Sequence, residues 1–180
     1  DIMSCLCDEF LSPSFAKACG LEENEFKKLA IFLAAVHDIG KAIVVFQYKI
    51  GDKLPERKSA LEASGINFDV SHDKGKAKQT PHAFAGEEIL NLLGCPECVS
   101  TVVGSHHGVP AESVQDLSWP QEDIAFYENY YGRDKENVEV LQDIWQTIFD
   151  MALDYAGFLD VSELPDIDLS LIHVSEPTRL

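Results

Sequence analysis

Val36-His37-Asp38-Ile39-Gly40-Lys41 closes an apolar run, Leu29-Ala30-Ile31-Phe32-Leu33-Ala34-Ala35. A histidine beside an aspartate at the end of a core-like helix is costly unless something pairs with them. Three candidate partners stand far off in the chain. They are His82 after Pro81, the doublet in Ser105-His106-His107-Gly108, and Asp154. Asp154 has Met151 at i−3 and Phe158 at i+4, a spacing that sets it against apolar matter. Imidazole and carboxylate both ligate metals, and one shared centre would satisfy all of these groups at once. Taken singly, each histidine is accounted for as a hydrogen-bonded core residue. The doublet is harder to account for that way. Neighbours on a helix point about 100° apart, so both rings reach one ion only near a helix end or bend, which flanking glycines allow. His72 and His173 fall in a loop and a tail and are set aside.

The elements that must carry these groups read as helices. Ile2, Cys5, Leu6 and Phe10 share a helical face over residues 2–11, and Ser12-Pro13-Ser14 breaks it. A short helical piece follows, with Gly20 at its end. The next helix begins near Glu22, with acidic residues in its first turn, and its stripe of Phe26, Leu29, Ala30, Leu33 and Val36 delivers His37 beside the buried face. Ala42-Ile43-Val44-Val45-Phe46 is β-branched enough for a strand but is read as helical from its neighbours. Residues 49–81 show no sustained period and read as a long loop with a short helix near Arg57–Ala63. His82, Ala85, Ile89, Leu92 and Leu93 form a helix closed by Gly94, and Pro96 opens another that leads to the doublet. Helices over Glu122–Tyr131 and Lys135–Leu159 complete the chain. The stripe of the last is Val138, Leu141, Trp145, Ile148, Ala152 and Tyr155. No strand alternation is convincing, so the fold class is all-α: one helical domain over residues 1–165 and an irregular tail or linker over 166–180.

The chain has 180 residues and a formal net charge of −17, which argues against a free-standing nucleic-acid binder. The charge is uneven. Lys49 to Lys78 holds seven basic and five acidic residues, a local balance of +2 that leaves −19 on the rest. This stretch, with Lys74, Lys76 and Lys78, reads either as a solvated loop or as a basic lip beside the site that attracts a phosphate backbone. No apolar run reaches the roughly 18 residues that span a bilayer. The five cysteines include one lone CxxC, Cys95-Pro96-Glu97-Cys98, without the second pair a structural zinc site wants, and read as reduced thiols of a cytoplasmic protein.

His37-Asp38 followed by Gly40-Lys41 resembles the central motif of the HD superfamily of metal-dependent phosphohydrolases. With Phe46-Gln47, Pro81-His82, Ser105-His106-His107-Gly108 and Leu153-Asp154-Tyr155, the ordered set over residues 1–160 resembles the HD nuclease domain of the CRISPR-associated helicase-nuclease of type I systems. The resemblance implies two divalent transition metals, such as manganese, iron, cobalt or nickel, in preference to magnesium. One would be held by His37, Asp38, Asp154 and a histidine that the family places ahead of Asp1, and the other by His82, His106 and His107, with Asp38 bridging. It further implies hydrolysis of single-stranded DNA, with Asp38 and Lys41 at the reacting phosphate, Gln47 in the substrate path, and a helicase domain or subunit and an RNA-guided surveillance complex as partners. Two rivals share the motif: a phosphohydrolase of nucleotides or cyclic dinucleotides, and a regulatory or scaffold domain with a degenerate site.

Overall fold

Leu29, Phe32 and Val36 are all buried, so the segment that carries them folds as a helix with one face turned inward. The structure, a computed structural model, describes residues 2–9, 13–70, 80–107 and 124–167. Its elements are α1 (Ile2–Glu9), α2 (Pro13–Ala18), α3 (Glu23–Val36), a 3-10 turn (Ile39–Lys41), α4 (Val44–Gly51), α5 (Pro55–Ala63), α6 (His82–Leu92), α7 (Glu97–Gly104), α8 (Ile124–Tyr131), α9 (Glu136–Ala156) and a second 3-10 turn (Val161–Glu163). No strand occurs among the described residues, and the fold is all-α. None of the described helices is by itself long and apolar enough to cross a membrane.

Two helix pairings organise the core. In the first, α9 lies along α3, and the Phe32 ring meets Phe149 edge-on at 5.7 Å and Phe158 at 6.3 Å between centroids. In the second, α6 packs along α7 and against the first 3-10 turn. That second contact is backbone on backbone. A Cβ added at Gly40 would lie 1.9 Å from the His82 carbonyl oxygen and 2.4 Å from the Gly86 nitrogen. Only glycine permits this approach, and it is what brings the start of α6 beside Asp38. Trp145 joins the two pairings, since its indole N–H donates to the Ala42 carbonyl at 2.7 Å.

The last helix departs from its expected stripe. It ends at Ala156, where Gly157 takes a left-handed conformation, rather than at Leu159. Its buried face runs through Asn137, Leu141, Trp145, Phe149, Ala152, Leu153 and Ala156, and Tyr155 is 64% exposed. The expected stripe alternates steps of three and four and so falls short of 3.6 residues per turn, whereas the buried face runs mostly in steps of four; the two diverge along the helix. Asp154, expected away from water, is exposed, as are Met151 and Tyr155 beside it.

Within the long loop read over 49–81, helix extends further than expected among the described residues. α4 continues to Gly51 and α5 occupies Pro55–Ala63 with proline in its first turn. None of α5's residues is buried, so it carries no apolar stripe to be read. Beyond it, Asn67 and buried Asn137 exchange side-chain and backbone hydrogen bonds at 2.8 and 2.7 Å, pinning 66–70 to the start of α9. The Lys58 ammonium sits over the Tyr48 and Phe68 rings at 5.3 and 5.9 Å. Lys74, Lys76 and Lys78 lie outside the described residues.

Candidate metal centre

The site gathers where the end of α3, the first 3-10 turn, the start of α6 and the end of α7 meet. His37 follows the last turn of α3, and its Nδ1 lies 2.9 Å from the Ala34 carbonyl. His106 follows α7 in the same way, with Nδ1 2.6 Å from the Val103 carbonyl. A carbonyl oxygen only accepts, so in both rings Nδ1 carries the proton and donates. Each Nε2 is then left with its lone pair, held in the orientation the backbone dictates.

Those lone pairs converge on Asp38. His37 Nε2 lies 3.3 Å from Oδ2, while His82 and His106 Nε2 lie 3.4 and 4.0 Å from Oδ1. Acceptors set face to face repel unless a proton or a cation stands between them. His82, His106 and His107 offer ligand nitrogens that all lie within 4.8 Å of one another, with His82 and His107 Nε2 2.9 Å apart. Tetrahedral coordination at about 2.1 Å places neighbouring nitrogens roughly 3.4 Å apart, so the cluster needs only small ring adjustments to close on an ion. The donor set fits a transition metal: nitrogen-rich, with one carboxylate at its edge.

The charges agree with that fit. Burial lowers the His82 pKa, against the pull of Asp38 and with the push of Lys41 and the other two imidazoles, so the ring stays neutral near pH 7. For Asp38, burial alone would raise the pKa. The Lys41 hydrogen bond, joined by Coulombic interactions with His37, Lys41 and His82, outweighs it and holds the carboxyl below its ordinary value. Lys41 Nζ donates to Asp38 Oδ2 at 2.5 Å.

Of the residues the sequence singles out, His37, Asp38, Lys41, His82, His106 and His107 come together. Asp154 does not join them by any hydrogen bond or ion pair among the described residues; it lines a separate groove with Leu93, Phe149, Leu153 and Phe158. Gln47 sits at the rim with both ends of its amide engaged. Its N–H donates to the Lys41 carbonyl at 2.7 Å, and its oxygen accepts from Arg57 Nε at 3.3 Å. Phe46 places its ring 5.6 Å from that of His82.

Sequence reasoning missed two residues. Glu87 is buried on α6 and accepts from the Thr101 hydroxyl at 3.0 Å, in space that opens only because Gly104 lacks a side chain. This bond fixes the end of α7 just before the histidine doublet. The signal available was a charged pair, Glu87-Glu88, inside a helix otherwise read as core. Arg57 is the other, and nothing in the sequence links it to Gln47 ten residues earlier.

The model of the family described as Cas3, HD domain, matches residues 1–177. The chain belongs to the Cas3 HD-domain family. It is 36% identical over 154 residues to the CRISPR-associated nuclease/helicase Cas3 of Streptococcus thermophilus, covering 81% of this chain and 16% of that one. The chain thus spans under a fifth of that relative's length. No solved structure matches the chain. Membership in the Cas3 HD family accords with the all-α fold and with the histidine cluster that the His-Asp motif meets.

Proposed function

We propose that the chain is a metal-dependent nuclease domain that hydrolyses phosphodiester bonds of single-stranded DNA during CRISPR interference in the cytoplasm. The observation that carries this reading is the convergence of His82, His106 and His107 with Asp38. We assign these four residues to one divalent transition metal, and, following the family resemblance, His37 and Asp38 to a second, toward which exposed Asp154 would have to turn from its groove. When bound, such ions polarise a phosphodiester and lower the pKa of an attacking water. The chain's own part is to present them correctly. Ala34 and Val103 fix the tautomers of His37 and His106, and burial keeps His82 neutral. Lys41 holds Asp38 ionised and in place, and its side chain, 40% exposed, leaves its remaining N–H groups within reach of an incoming phosphate. The relative's name joins a nuclease to a helicase, which supports a helicase as the source of the strand. An RNA-guided surveillance complex would select the DNA.

The test is turnover on circular single-stranded DNA beside a panel of nucleotides and cyclic dinucleotides, with manganese, cobalt or nickel and with EDTA. Metal-dependent cleavage of the DNA alone is expected. Asp38→Ala should abolish it while circular dichroism stays unchanged. Robust cleavage by Asp38→Ala, or turnover confined to the nucleotides, would contradict the reading.

A further inference from the structure

Arg57 is an anomaly on this surface. The chain carries a net charge of −17, yet among the described residues no carboxylate pairs with this exposed guanidinium. Among the described residues its side-chain partner is neutral, the Gln47 amide oxygen, which accepts from Nε. Nε is the inner donor of the group, so among the described residues both terminal NH2 groups remain open, four N–H donors in one plane. The other cation of this helix is used differently. Lys58 is set between the Tyr48 and Phe68 rings and within 4.0 Å of Glu62.

The support beneath Arg57 is firm. A Cβ added at Gly51 would come within 3.0 to 3.3 Å of the Lys58 side chain, so α4 and α5 lie close together. Gln47 then ties the arginine to the site, because its amide N–H holds the carbonyl of Lys41, whose ammonium holds Asp38. One short relay thus runs from Arg57 through Gln47 to the residue beside the reacting centre. Gln47, with both ends occupied, is the positioning residue, and Arg57 presents the free donors.

We infer that Arg57 binds a backbone phosphate of the substrate strand, next to the one being cleaved, and that Gln47 aims it. The inference rests on the nuclease reading. A planar fork of N–H donors matches phosphate oxygens two at a time, a recognition a lysine does not reproduce.

The experiment measures binding and cleavage separately. Fluorescence anisotropy with a labelled single-stranded oligonucleotide in EDTA, over a range of salt, reads phosphate contacts without turnover. Arg57→Ala should weaken binding roughly three- to tenfold at low salt, and the magnitude of its salt slope should fall by about 0.7, the value for one phosphate contact on a single strand. With metal, the same change should raise KM and leave kcat nearly as it was. Arg57→Lys should restore the slope but only part of the affinity. Gln47→Ala should weaken binding in the wild-type background and add nothing in Arg57→Ala. An Arg57→Ala protein with unchanged affinity and unchanged slope overturns the inference, whatever the wild type cleaves. A wild type that fails to cleave DNA overturns the nuclease reading instead, and the binding data still decide the phosphate contact.

Discussion

Two backbone carbonyls do much to make this site. By accepting from Nδ1 of His37 and His106, they leave Nε2 of each ring free and aimed at Asp38. This could not be read from residue types, because it depends on where the last turns of α3 and α7 end. A second residue-scale feature is Glu88. It is nearly fully buried, and burial, with Glu87 adding to it, pushes its pKa from 4.5 to about 7. The folded protein therefore holds this proton more tightly than the unfolded chain does. The stabilising contribution is full below pH 4.5 and is lost as pH rises through 7. Glu88→Gln mimics the protonated form. It should stabilise the fold by on the order of 3 kcal/mol at pH 8 and by less than about 1 kcal/mol at pH 5, read by urea denaturation at the two values.

At the scale of elements, the site depends on how closely the first 3-10 turn meets α6. Gly40→Ala should destabilise the fold by about 3 kcal/mol or more, because the new Cβ meets two backbone atoms that cannot turn aside. The same protein should lose metal affinity, since the His82–Asp38 approach opens; calorimetric titration with manganese checks both effects together with thermal denaturation. The helices with strong apolar stripes, α3, α6 and α9, were legible in the sequence to within a few residues. So was α4, despite its β-branched start, because Ile43 alone is extended and the helix begins at Val44. The helix α5 was only half legible, since it buries nothing and its support comes from a lysine packed on two rings from elsewhere. Tyr155 was misplaced because a stripe stepped alternately by three and four falls short of 3.6 residues per turn and slips off the buried face of a helix of 21 residues, and Asp154, expected against apolar matter, is exposed.

Across the whole molecule, the candidate site residues lie where four elements from the first two thirds of the chain converge, and α9 braces them through Trp145. The six residues that come together were legible because each is polar at the end of an apolar run, and a shared ion is the simplest way to satisfy them jointly. Their supports, Glu87 and Gln47 with Arg57, were not legible, because pairings between distant helices leave no spacing to count. On the proposed reading, the net charge of −17 suits a domain whose grip on DNA is shared with a partner, and a basic contact such as Arg57 would then set position more than affinity.

The central claim is that His82, His106 and His107 with Asp38 hold a transition metal. The most direct measurement is the metal content of the purified protein after loading with manganese or nickel and removal of the excess, by plasma mass spectrometry, for the wild type and for His106→Ala and His107→Ala. The account predicts at least about one tightly held ion per wild-type chain, lost in both variants while their helical circular dichroism is retained. Equal metal content in the wild type and the two folded variants would contradict it.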